Sequence, residues 1–490
     1  MERDVQSALQ NICAIGDRNT ETLAVIERDL WVALFDAGRA VLALYLAKQA
    51  ARPRAAQYAH DGLTYVLDPR NRRKSEVGTR FGKVPFCRPF GTAVGVRHRA
   101  DLPVDRELGL CSTFSLGTVT TVVQLCALMA FASARELFAQ FHGWAPSTRS
   151  TLRMVDAVGA QAQAFVDAED LPDDDGTILI IQVDGRGAPM ISSTEHARRR
   201  QPKRKTEGSQ RFARRQRRRA HPKPRRNKGD KSKNAKVAFV GVIYTLKQTR
   251  HGWEGPIHKR LYATFDSHEA LFQRLLPIAK RRGYGCKPSY FIADGAAHIW
   301  RNQQKYFPEA TPCVDWYHVA EKLWEAGGCL HPEGSTQLRI WVDQQLAKLR
   351  KGQILQLLQD LAAEYNALPK TGPGNKSRRK RLLRILDYLA KHEQRMPYAA
   401  LRSSELDIGS GAVEGAVRNL VGLRLDGPGM RWGRDRAEMV LQLRCIVLNG
   451  QWHRFCEALE RTALSLAATP IPARTHDAKP QLAHDLHEAA

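Results

Sequence analysis

The sequence predicts an α/β protein in which helices flank a mixed β-sheet, with an α-helical insertion and an α-rich N-terminal region. Three observations support this fold class. Short apolar runs of strand character alternate with helical patterns between residues 177 and 315. The strand pattern is then lost over residues 319–400, where leucine and isoleucine recur at helical spacing. Residues 1–60 also carry apolar side chains at helical spacing.

The N-terminal region, residues 1–172, is predicted to be mainly helical. Residues 75–110 are its exception, because their proline-interrupted pattern contains short β-like runs. A helix over 133–141, a break at 142–146 and a second helix capped by Ser147 predict a helix-turn-helix arrangement. The second helix of such a pair can enter a DNA major groove, but any helical hairpin shows the same pattern, so both interpretations stay open.

Residues 173–455 are predicted to form the α/β domain, and the polar run 172–176 marks where it begins. The predicted strands are 177–183, 237–246, 261–265, 289–293 and 312–314. Asp173, Asp174 and Asp175 precede the first strand and predict a solvated turn.

Three further segments complete the predicted organisation. A basic loop at 198–236 separates the first two strands, and a helical insertion at 319–405 follows the fifth. Residues 456–490 are predicted to hold the end of a helix and a disordered tail.

Net charge is the unusual feature of the composition. The 490 residues correspond to about three domains. Their 43% apolar and 26% charged residues exclude a collagen-like, a wholly disordered or a disulfide-stapled protein. The net charge of +26 indicates a polyanionic partner, with nucleic acid favoured over an anionic membrane surface.

The basic loop concentrates this charge. It holds 19 Lys or Arg and two acidic residues, so it carries +17 of the +26. A solvated loop that only improves solubility is the alternative, but so dense a run favours contact with nucleic acid. The residues assigned to DNA contact in this loop are Arg198, Arg199, Arg200, Lys203, Arg204, Lys205, Arg214, Arg215, Arg217, Arg218, Arg219, Arg225 and Arg226.

Cysteine usage and the absence of targeting patterns predict a cytoplasmic protein. The nine cysteines are odd in number and form no CxxC pair, so we expect reduced thiols and neither zinc nor a disulfide framework. The N-terminus lacks the basic-then-apolar order of a signal peptide. The longest uncharged stretch, 111–134, contains several Thr and Ser residues, which favours a buried helix over a membrane span.

Three acidic residues occupy positions suited to metal-dependent chemistry. Asp184 and Asp294 each follow an apolar strand and precede glycine, and Glu414 lies in the first turn of a helix after a Gly-Ser-Gly loop. Ligands gather beyond the carboxyl ends of strands in α/β sheets. Closely spaced carboxylates repel one another unless a divalent cation neutralises them, and Mg²⁺ prefers such oxygen ligands. Two such ions can promote attack at a phosphodiester.

Each acidic residue also has a simpler explanation. An Asp-Gly pair after a strand is often only a turn, and a Glu in the first turn of a helix can merely complement the helix dipole. The joint arrangement therefore carries the hypothesis. Asp315 and His318, three residues apart after the fifth strand, can meet at a helix start and support the site, although a satisfied structural histidine fits the same pattern.

Longer blocks of sequence resemble a known family. The blocks are QVDGRGAPM (182–190), AFVGVIYTL after the basic loop, ADGA (293–296), DWYHVAEKLWEAG (315–327), GSGAVEGAVRNLVGLRL (409–425), GPGMRWGRDRAEMVLQLRCIVLNGQW (427–452) and LPVDRELGL (102–110). Together they make most of residues 80–455 resemble bacterial insertion-sequence transposases of the DDE type, in the ISKra-type group. That resemblance implies a ribonuclease-H-like core.

The resemblance also implies roles for particular residues. Asp184, Asp294 and Glu414 match the three catalytic acids of the family, which bind Mg²⁺ or Mn²⁺. Asp315 and His318 match a supporting D-x-x-H element. Water and then a 3′ hydroxyl would serve as nucleophiles, first cutting transposon ends and then joining them to target DNA.

Two features after the predicted catalytic helix concern DNA binding. Arg431 on a phosphate and Trp432 stacked on a flipped base is one interpretation, and core packing of Trp432 is the other. Asp426 stands where the family pattern suggests a basic residue, which puts one phosphate contact in doubt. Relatives often carry a CxxC zinc ribbon before the LPVDRELGL-like block, whereas Cys87 stands alone here, so no zinc is assigned.

These expectations define the predicted protein and its rivals. The N-terminal region would recognise DNA ends and assemble a homodimer or higher oligomer in the bacterial cytoplasm, associated with the nucleoid and not with a membrane. Its DNA partners would be the terminal inverted repeats and the target. A hydrolytic nuclease on the same core and a non-catalytic DNA-binding regulator derived from a transposase are the two alternatives.

Overall fold

The computed structural model describes residues 1–168, 172–192, 194, 195, 197, 235–406 and 408–467. The chain divides into two compact units: Met1–Ala157 together with the residues from His453, and Val158–Trp452. This division and the predicted domain boundaries at residues 172 and 455 differ, and those boundaries stay predictions.

The first unit combines helices with a small antiparallel sheet. Its helices are α1 Glu2–Gly16, α2 Leu23–Ala50, α3 Pro103–Glu107, α4 Leu116–Leu128, α5 Phe131–His142, the start of α6 Thr148–Asp167, and α16 Trp452–Ala467 from His453 onward. Its strands, in sheet order, are β1 Gln57–His60, β2 Leu63–Thr79, β3 Gly82–Ala93 and β4 Ala100–Asp101. This sheet extends well beyond the β-like runs expected in residues 75–110.

Helix α2 covers one part of this sheet and leaves much of its own surface open. Leu46 and Ala50 are buried against Val77, Val84 and Phe86. By length and composition, α2 is the one described helix that could cross a membrane, but only 11% of its most apolar 18-residue window is buried. Burial of apolar side chains therefore anchors α2 mainly at its C-terminal turns.

The predicted helical pair around residue 145 is present. Helices α5 and α6 are joined by a turn in which Gly143 adopts a φ of +72°. The Ser147 hydroxyl accepts a hydrogen bond from the Ser150 N–H at 3.1 Å, as an N-cap does. Arg135 donates to the Pro146 carbonyl at 2.8 Å and so fixes the turn from the preceding helix.

A buried ion pair stabilises the LPVDRELGL block. Arg88 on β3 donates to Asp105 in α3 at 2.5 Å, and its side chain is almost fully buried. Arg88 also lies over the Phe86 ring, 4.7 Å from its centroid. In this structure the family-like block has a structural role, since Asp105 locks α3 onto the sheet.

The second unit is built on a five-stranded mixed sheet. Its strands are β5 Ile178–Pro189, β6 Ala235–Thr249, β7 Gly252–Thr264, β8 Ser289–Ala293 and β9 Thr311–Val314. They lie in the order β7-β6-β5-β8-β9. The first three pair antiparallel, whereas β5, β8 and β9 pair parallel. A mixed helix-and-sheet fold was predicted, and the predicted fourth strand falls at the observed bounds.

The helices of this unit flank the sheet and form the expected helical segment after β9. They are the rest of α6, α7 His268–Arg281, α8 Ala297–Tyr306, α9 Trp316–Leu330, α10 Thr336–Arg350, α11 Ile354–Ala367, α12 Asn375–Lys391, α13 Tyr398–Ser403, α14 Gly411–Val417 and α15 Arg434–Leu448. A π-helical turn, Arg418–Gly422, continues α14.

At the amino edge of the sheet, the prediction that Asp173, Asp174 and Asp175 form a solvated turn is wrong for Asp175. Asp175 is not in a solvated turn: its side chain is 11% exposed and accepts from Arg282 at 2.7 Å. Arg282, 4% exposed, also donates to the carbonyl of His258 at 2.9 Å. Asp174 does reach the surface, where it pairs with Lys247. The tertiary partner of Asp175 lies 107 residues away, which local sequence cannot reveal.

Candidate active site at the carboxyl edge of the second sheet

Asp184 and Asp294 leave neighbouring strands at the same level. Val183 on β5 pairs with Ala293 on β8 in parallel register, and each is followed directly by its aspartate. Neighbouring strands lie about 4.8 Å apart, so the two carboxylates start from adjacent backbone. One detail differs from the prediction: β5 does not end at Asp184 but continues to Pro189 along β6. Only the parallel pairing ends there.

The electrostatics of Asp184 reflect this crowding. Burial raises the pKa of the Asp184 carboxyl above its ordinary value. The negative charges of Asp294 and Glu414 raise this pKa further, while the Gly185 N–H, which donates to Asp184 Oδ1 at 2.6 Å, and the charge of His318 lower it. Asp294 and Glu414 therefore lie close enough to Asp184 to influence its pKa.

Helix α14, which carries Glu414, is attached to the central strand by one amide. Gln182 on β5 is fully buried. Its Nε2 donates to the Gly409 carbonyl at 3.2 Å, and its Oε1 accepts from the Val413 N–H at 2.9 Å. One side chain thus holds both the loop before α14 and its first turn. The Ser410 hydroxyl adds a 2.7 Å hydrogen bond to Glu414 Oε1.

Asp315 ties the same loop to the end of β9. Its Oδ1 accepts from the Ser410 N–H at 2.6 Å, and its Oδ2 accepts from both the N–H and Nδ1 of His318 at 2.8 Å. Burial alone would raise the pKa of Asp315, but these hydrogen bonds outweigh it and hold the pKa below its ordinary value. Asp315 is therefore an anion with both oxygens already engaged.

His318 faces the acids with a positive charge. The hydrogen bond to Asp315 raises the pKa of His318 to about 9, and the charges of Asp294 and Glu414 act in the same direction. Potential ligand atoms of Asp315, His318 and Glu414 all lie within 4.8 Å of one another. Among the described residues this is the one such group of three. Its donor set could hold a metal ion, although Asp315 is better placed to orient His318 than to bind metal.

The helical insertion reaches the site through α12. A Cβ atom added to Gly295 would lie 2.2 Å from the Tyr388 ring, so the phenol lies directly on the backbone beside Asp294. Burial is the main cause that lowers the pKa of His392 to about 4, and the positive charge of Arg395 lowers this pKa as well. A hydrogen bond with the Gly295 backbone acts in the opposite direction. Tyr388 and His392 together fix the turn that presents Asp294. Only a side chain as small as glycine fits there.

The predicted DNA-binding residues have different outcomes. Arg431 is exposed, as a phosphate-binding residue must be. Trp432 is 5% exposed, and its Nε1 donates to the Leu425 carbonyl at 3.0 Å under the Arg424 guanidinium. The base-stacking prediction for Trp432 is therefore wrong, and the core-packing interpretation holds. The 13 basic residues assigned between Arg198 and Arg226 lie outside the described residues.

The unexpected acid, Asp426, has a partner. Its Oδ2 accepts from Arg186 Nε at 3.0 Å and from a second Arg186 nitrogen at 2.8 Å. Arg186 follows Asp184 by two residues on β5. Asp426 therefore neutralises a cation close to the site instead of meeting a phosphate.

Sequence reasoning missed Gln182, Ser410 and Tyr388. Gln182 had one visible signal, since it is the only polar residue in the apolar run 178–183. A buried amide inside such a run needs hydrogen-bond partners, and here these partners are on α14. Tyr388 and Ser410 had no local signal of this kind.

Comparisons with known proteins add little to this geometry. No protein-family model and no curated protein matches the chain. One solved structure with similarity is described as the Drosophila P element transposase strand transfer complex, at 12% sequence identity and a TM-score of 0.25, covering 71% of this chain and 81% of that chain. A TM-score this low carries no argument about fold or activity.

Proposed function

We propose that this protein is a DDE-type DNA transposase that cuts transposon ends with metal dependence and joins the freed 3′ hydroxyls to target DNA. The observation that carries the proposal is the convergence of Asp184, Asp294 and Glu414 at one edge of the second sheet. Asp294 and Glu414, from distant parts of the chain, lie close enough to Asp184 to raise its pKa, and His318 lies close enough to lower it. Such a concentration of negative charge suits phosphodiester chemistry better than a purely structural role.

The sheet order supports a ribonuclease-H-like core. Numbered in chain order within the second unit, the strands lie in the sheet in the order 3-2-1-4-5. The second strand is antiparallel to both of its neighbours, the first and the third, whereas the first, fourth and fifth strands pair in parallel. The first acid lies within strand one, where its parallel pairing with strand four ends, the second directly follows strand four, and the third lies on a helix attached to strand one. This is the arrangement expected from the sequence blocks shared with ISKra-type transposases.

The donor set fits Mg²⁺ or Mn²⁺. Asp184, Asp294 and Glu414 offer carboxylate oxygens, which these hard cations prefer. Burial is the first cause of the raised pKa of Asp184, and the charges of Asp294 and Glu414 add to it, so a cation would offset this second contribution. A bound divalent ion would neutralise this charge and make a hydroxyl a stronger nucleophile towards phosphorus. His318 would orient towards the acids or a nearby phosphate, since Asp315 fixes its ring.

Several surfaces would serve DNA binding in this proposal. The basic loop supplies most of the positive charge, and Arg431 adds an exposed cation after α14. In the first unit, Thr148, Arg149 and Arg153 are exposed on the second helix of the predicted helix-turn-helix. We propose that this unit recognises the terminal repeats, in a homodimer or higher oligomer associated with the bacterial nucleoid.

A cleavage assay tests the proposal. The substrate is DNA that carries the sequence flanking this gene, incubated with Mg²⁺ or Mn²⁺ and wild-type protein, Glu414→Gln or the control Glu333→Gln. Glu333 is an exposed acid in the loop before α10. We expect nicking at the element ends by wild type and the control, and its loss in Glu414→Gln with DNA binding retained.

The same assay separates the alternatives. A labelled end that is cut but never joined to a target plasmid would favour the hydrolytic nuclease. DNA binding without cutting by any of the three proteins would favour the non-catalytic regulator. Asp184→Asn with unchanged cleavage would remove the triad from the mechanism altogether.

A further inference from the structure

One face of helix α12 carries a row of exposed cations. The chain carries +26, of which +17 lies in the basic loop, so +9 remains outside it. Helix α12 supplies +6 of that remainder, from seven Lys or Arg and one Asp. Lys376, Lys380, Arg384 and Lys391, which we call the basic stripe, are all exposed. They follow one another at steps of four, four and seven residues, so they lie on one helix face.

The opposite face is the one that holds α12 in the fold. Leu382, Ile385 and Leu389 are buried there, and α12 packs against α9 and α11. Arg379 also has a structural role, because it donates to the Leu368 carbonyl at 2.6 Å. The basic stripe takes no part in this packing, so the fold does not explain its charge.

The basic stripe also has no acidic partner within the described part of the chain. Nearby acids pair with other lysines: Glu325 on α9 pairs with Lys322 at 2.9 Å, and Asp360 on α11 pairs with Lys348 on α10. Three successive members of the stripe are one helical turn apart, and like charges at this spacing destabilise a helix. A ligand that brings negative charge would remove this repulsion.

The C-terminal end of the basic stripe lies beside the candidate active site. The Tyr388 ring rests on Gly295, and His392 forms a hydrogen bond with the Gly295 backbone. Gly295 directly follows Asp294, and Lys391 directly precedes His392. The stripe covers 15 residue steps, about 23 Å at about 1.5 Å per residue. It therefore runs from the far end of α12 to the turn that presents Asp294.

The spacing of the basic stripe suits a DNA backbone. Four residues of an α-helix span about 6 Å. Each DNA strand carries one phosphate for about every 3.4 Å of the duplex axis, so cations one turn apart can meet about every second phosphate. We propose that the basic stripe binds the phosphate backbone of duplex DNA and leads it to the candidate active site. The identity of this ligand rests on the proposed function.

An anionic membrane surface is the competing partner for a row of cations. A helix that lies in a membrane surface inserts an exposed apolar face beside its basic one. The apolar face of α12 is instead buried, and Leu383, at 39%, is the one large apolar side chain of this described helix that is exposed. The surface of α12 therefore favours DNA over lipid.

The salt dependence of DNA binding by the full chain tests the proposal. The stripe variant combines Lys376→Gln, Lys380→Gln and Arg384→Gln. The matched control combines Arg339→Gln, Lys351→Gln and Arg402→Gln, which removes three exposed cations elsewhere in the helical insertion. Fluorescence anisotropy reports binding to a labelled duplex without divalent metal, so no DNA is cut.

The expected result is a change of slope in the plot of log affinity against log salt concentration. Each phosphate contact contributes about 0.9 to this slope, so the stripe variant should lose about 2 to 3 and the control less than about 1. Circular dichroism checks that both variants are folded. Equal slopes for the stripe variant and the control would overturn the proposal.

Photocrosslinking separates direct contact from a general loss of positive charge. Lys380→p-benzoylphenylalanine should crosslink to the duplex, and Lys351→p-benzoylphenylalanine should not. Equal crosslinking from the two positions, or none from position 380, would overturn the proposal. Flotation of wild-type protein with phosphatidylserine vesicles that the stripe variant loses, with no change in DNA binding, would assign the stripe to a membrane.

The stripe and the proposed function fail in distinguishable ways. The salt slope is measured without metal and does not depend on cleavage. A wild-type protein that never cuts DNA, although its slope falls in the stripe variant, would overturn the proposed function and leave the DNA contact standing. A wild-type protein that cuts DNA, with a slope that the stripe variant does not change, would overturn the contact alone.

Discussion

The pKa of a carboxylate is shifted in opposite directions at the two edges of the second sheet. At the amino edge, Asp175 accepts from the buried Arg282, and Lys287 lies 3.6 Å away. Burial alone would raise the pKa of Asp175, but Arg282 and Thr245 outweigh it, and the pKa lies below its ordinary value. At the carboxyl edge, burial and neighbouring acids raise the pKa of Asp184.

The difference teaches how to separate structural from functional carboxylates. An acid matched by an arginine is a closed ion pair whose charge is already balanced. Acids that face one another, with one histidine cation among them, keep unbalanced charge that a ligand can neutralise. Burial acts to raise the pKa of both Asp175 and Asp184, so burial alone does not separate the two kinds of carboxylate, and their partners do.

The largest expected effect is on cleavage by the carboxyl edge. Asp184→Asn should reduce cleavage about 10³-fold or more, roughly 4 kcal/mol of activation free energy, because it removes one of the facing acids. DNA affinity, measured by fluorescence anisotropy, should stay within about twofold. Asp343→Asn, an exposed acid on α10, is the matched control and should cleave like wild type. A strong cleavage defect in Asp343→Asn would show that loss of cleavage is not specific to the acids of the carboxyl edge.

The next effect concerns stability at the amino edge. Asp175→Asn should lower the free energy of unfolding by about 3 kcal/mol, since it leaves the Arg282 cation buried without its anion. Urea unfolding followed by tryptophan fluorescence measures this change. Cleavage per folded molecule should be unchanged. A loss of cleavage that exceeds the loss of folded protein would show that the two edges are not separate in function.

A smaller effect should follow when the hydrogen bonds that connect Gln182 to α14 and its preceding loop are removed. Gln182→Met has a similar volume but cannot hold Gly409 and Val413. It should lower the cleavage rate about tenfold and destabilise the fold by about 1–3 kcal/mol, because a buried amide N–H and a carbonyl lose partners. Gln182→Glu keeps one acceptor and should do less harm to the Val413 N–H contact. Equal rates for wild type and Gln182→Met would exclude the positioning role.

The smallest effect is the pH dependence of the amino-edge pair. The folded-state pKa of Asp175 is depressed, so its stabilisation is present above the unfolded pKa of about 3.9 and is lost as pH falls through the folded pKa. The stability difference between wild type and Asp175→Asn should therefore be constant from pH 7 to about pH 5 and shrink below about pH 4. A difference that grows on acidification contradicts this assignment.

Much of the second sheet could be predicted from sequence, because its strands are apolar runs with clear ends. Residues 289–293 are an example, as their run stops at Asp294. The proximity of Asp184 and Asp294 followed from two strands that pair in parallel. The extension of β5 to Pro189 did not, since residues 184–189 lack an apolar pattern and depend on pairing with β6.

Other features depend on partners far along the chain. The first sheet was only partly expected because β2 carries four basic residues within 70–74, which hide its strand period. Arg282 and Tyr388 reach Asp175 and Gly295 across about a hundred residues each, so no local pattern predicts them. Trp432 had two interpretations, and only its burial decides between them.

The attachment by Gln182 also sets an order of events during synthesis. Gln182 contacts Gly409 and Val413, which lie 227 and 231 residues further along the chain. At a typical translation speed, these residues leave the ribosome on the order of 10 to 50 s after Gln182. During that interval the nascent chain already carries Asp184 and the basic loop but not Glu414. Under the proposed function, a growing polypeptide can hold DNA before it can cut it, and an incomplete product of translation would occupy transposon ends without breaking them.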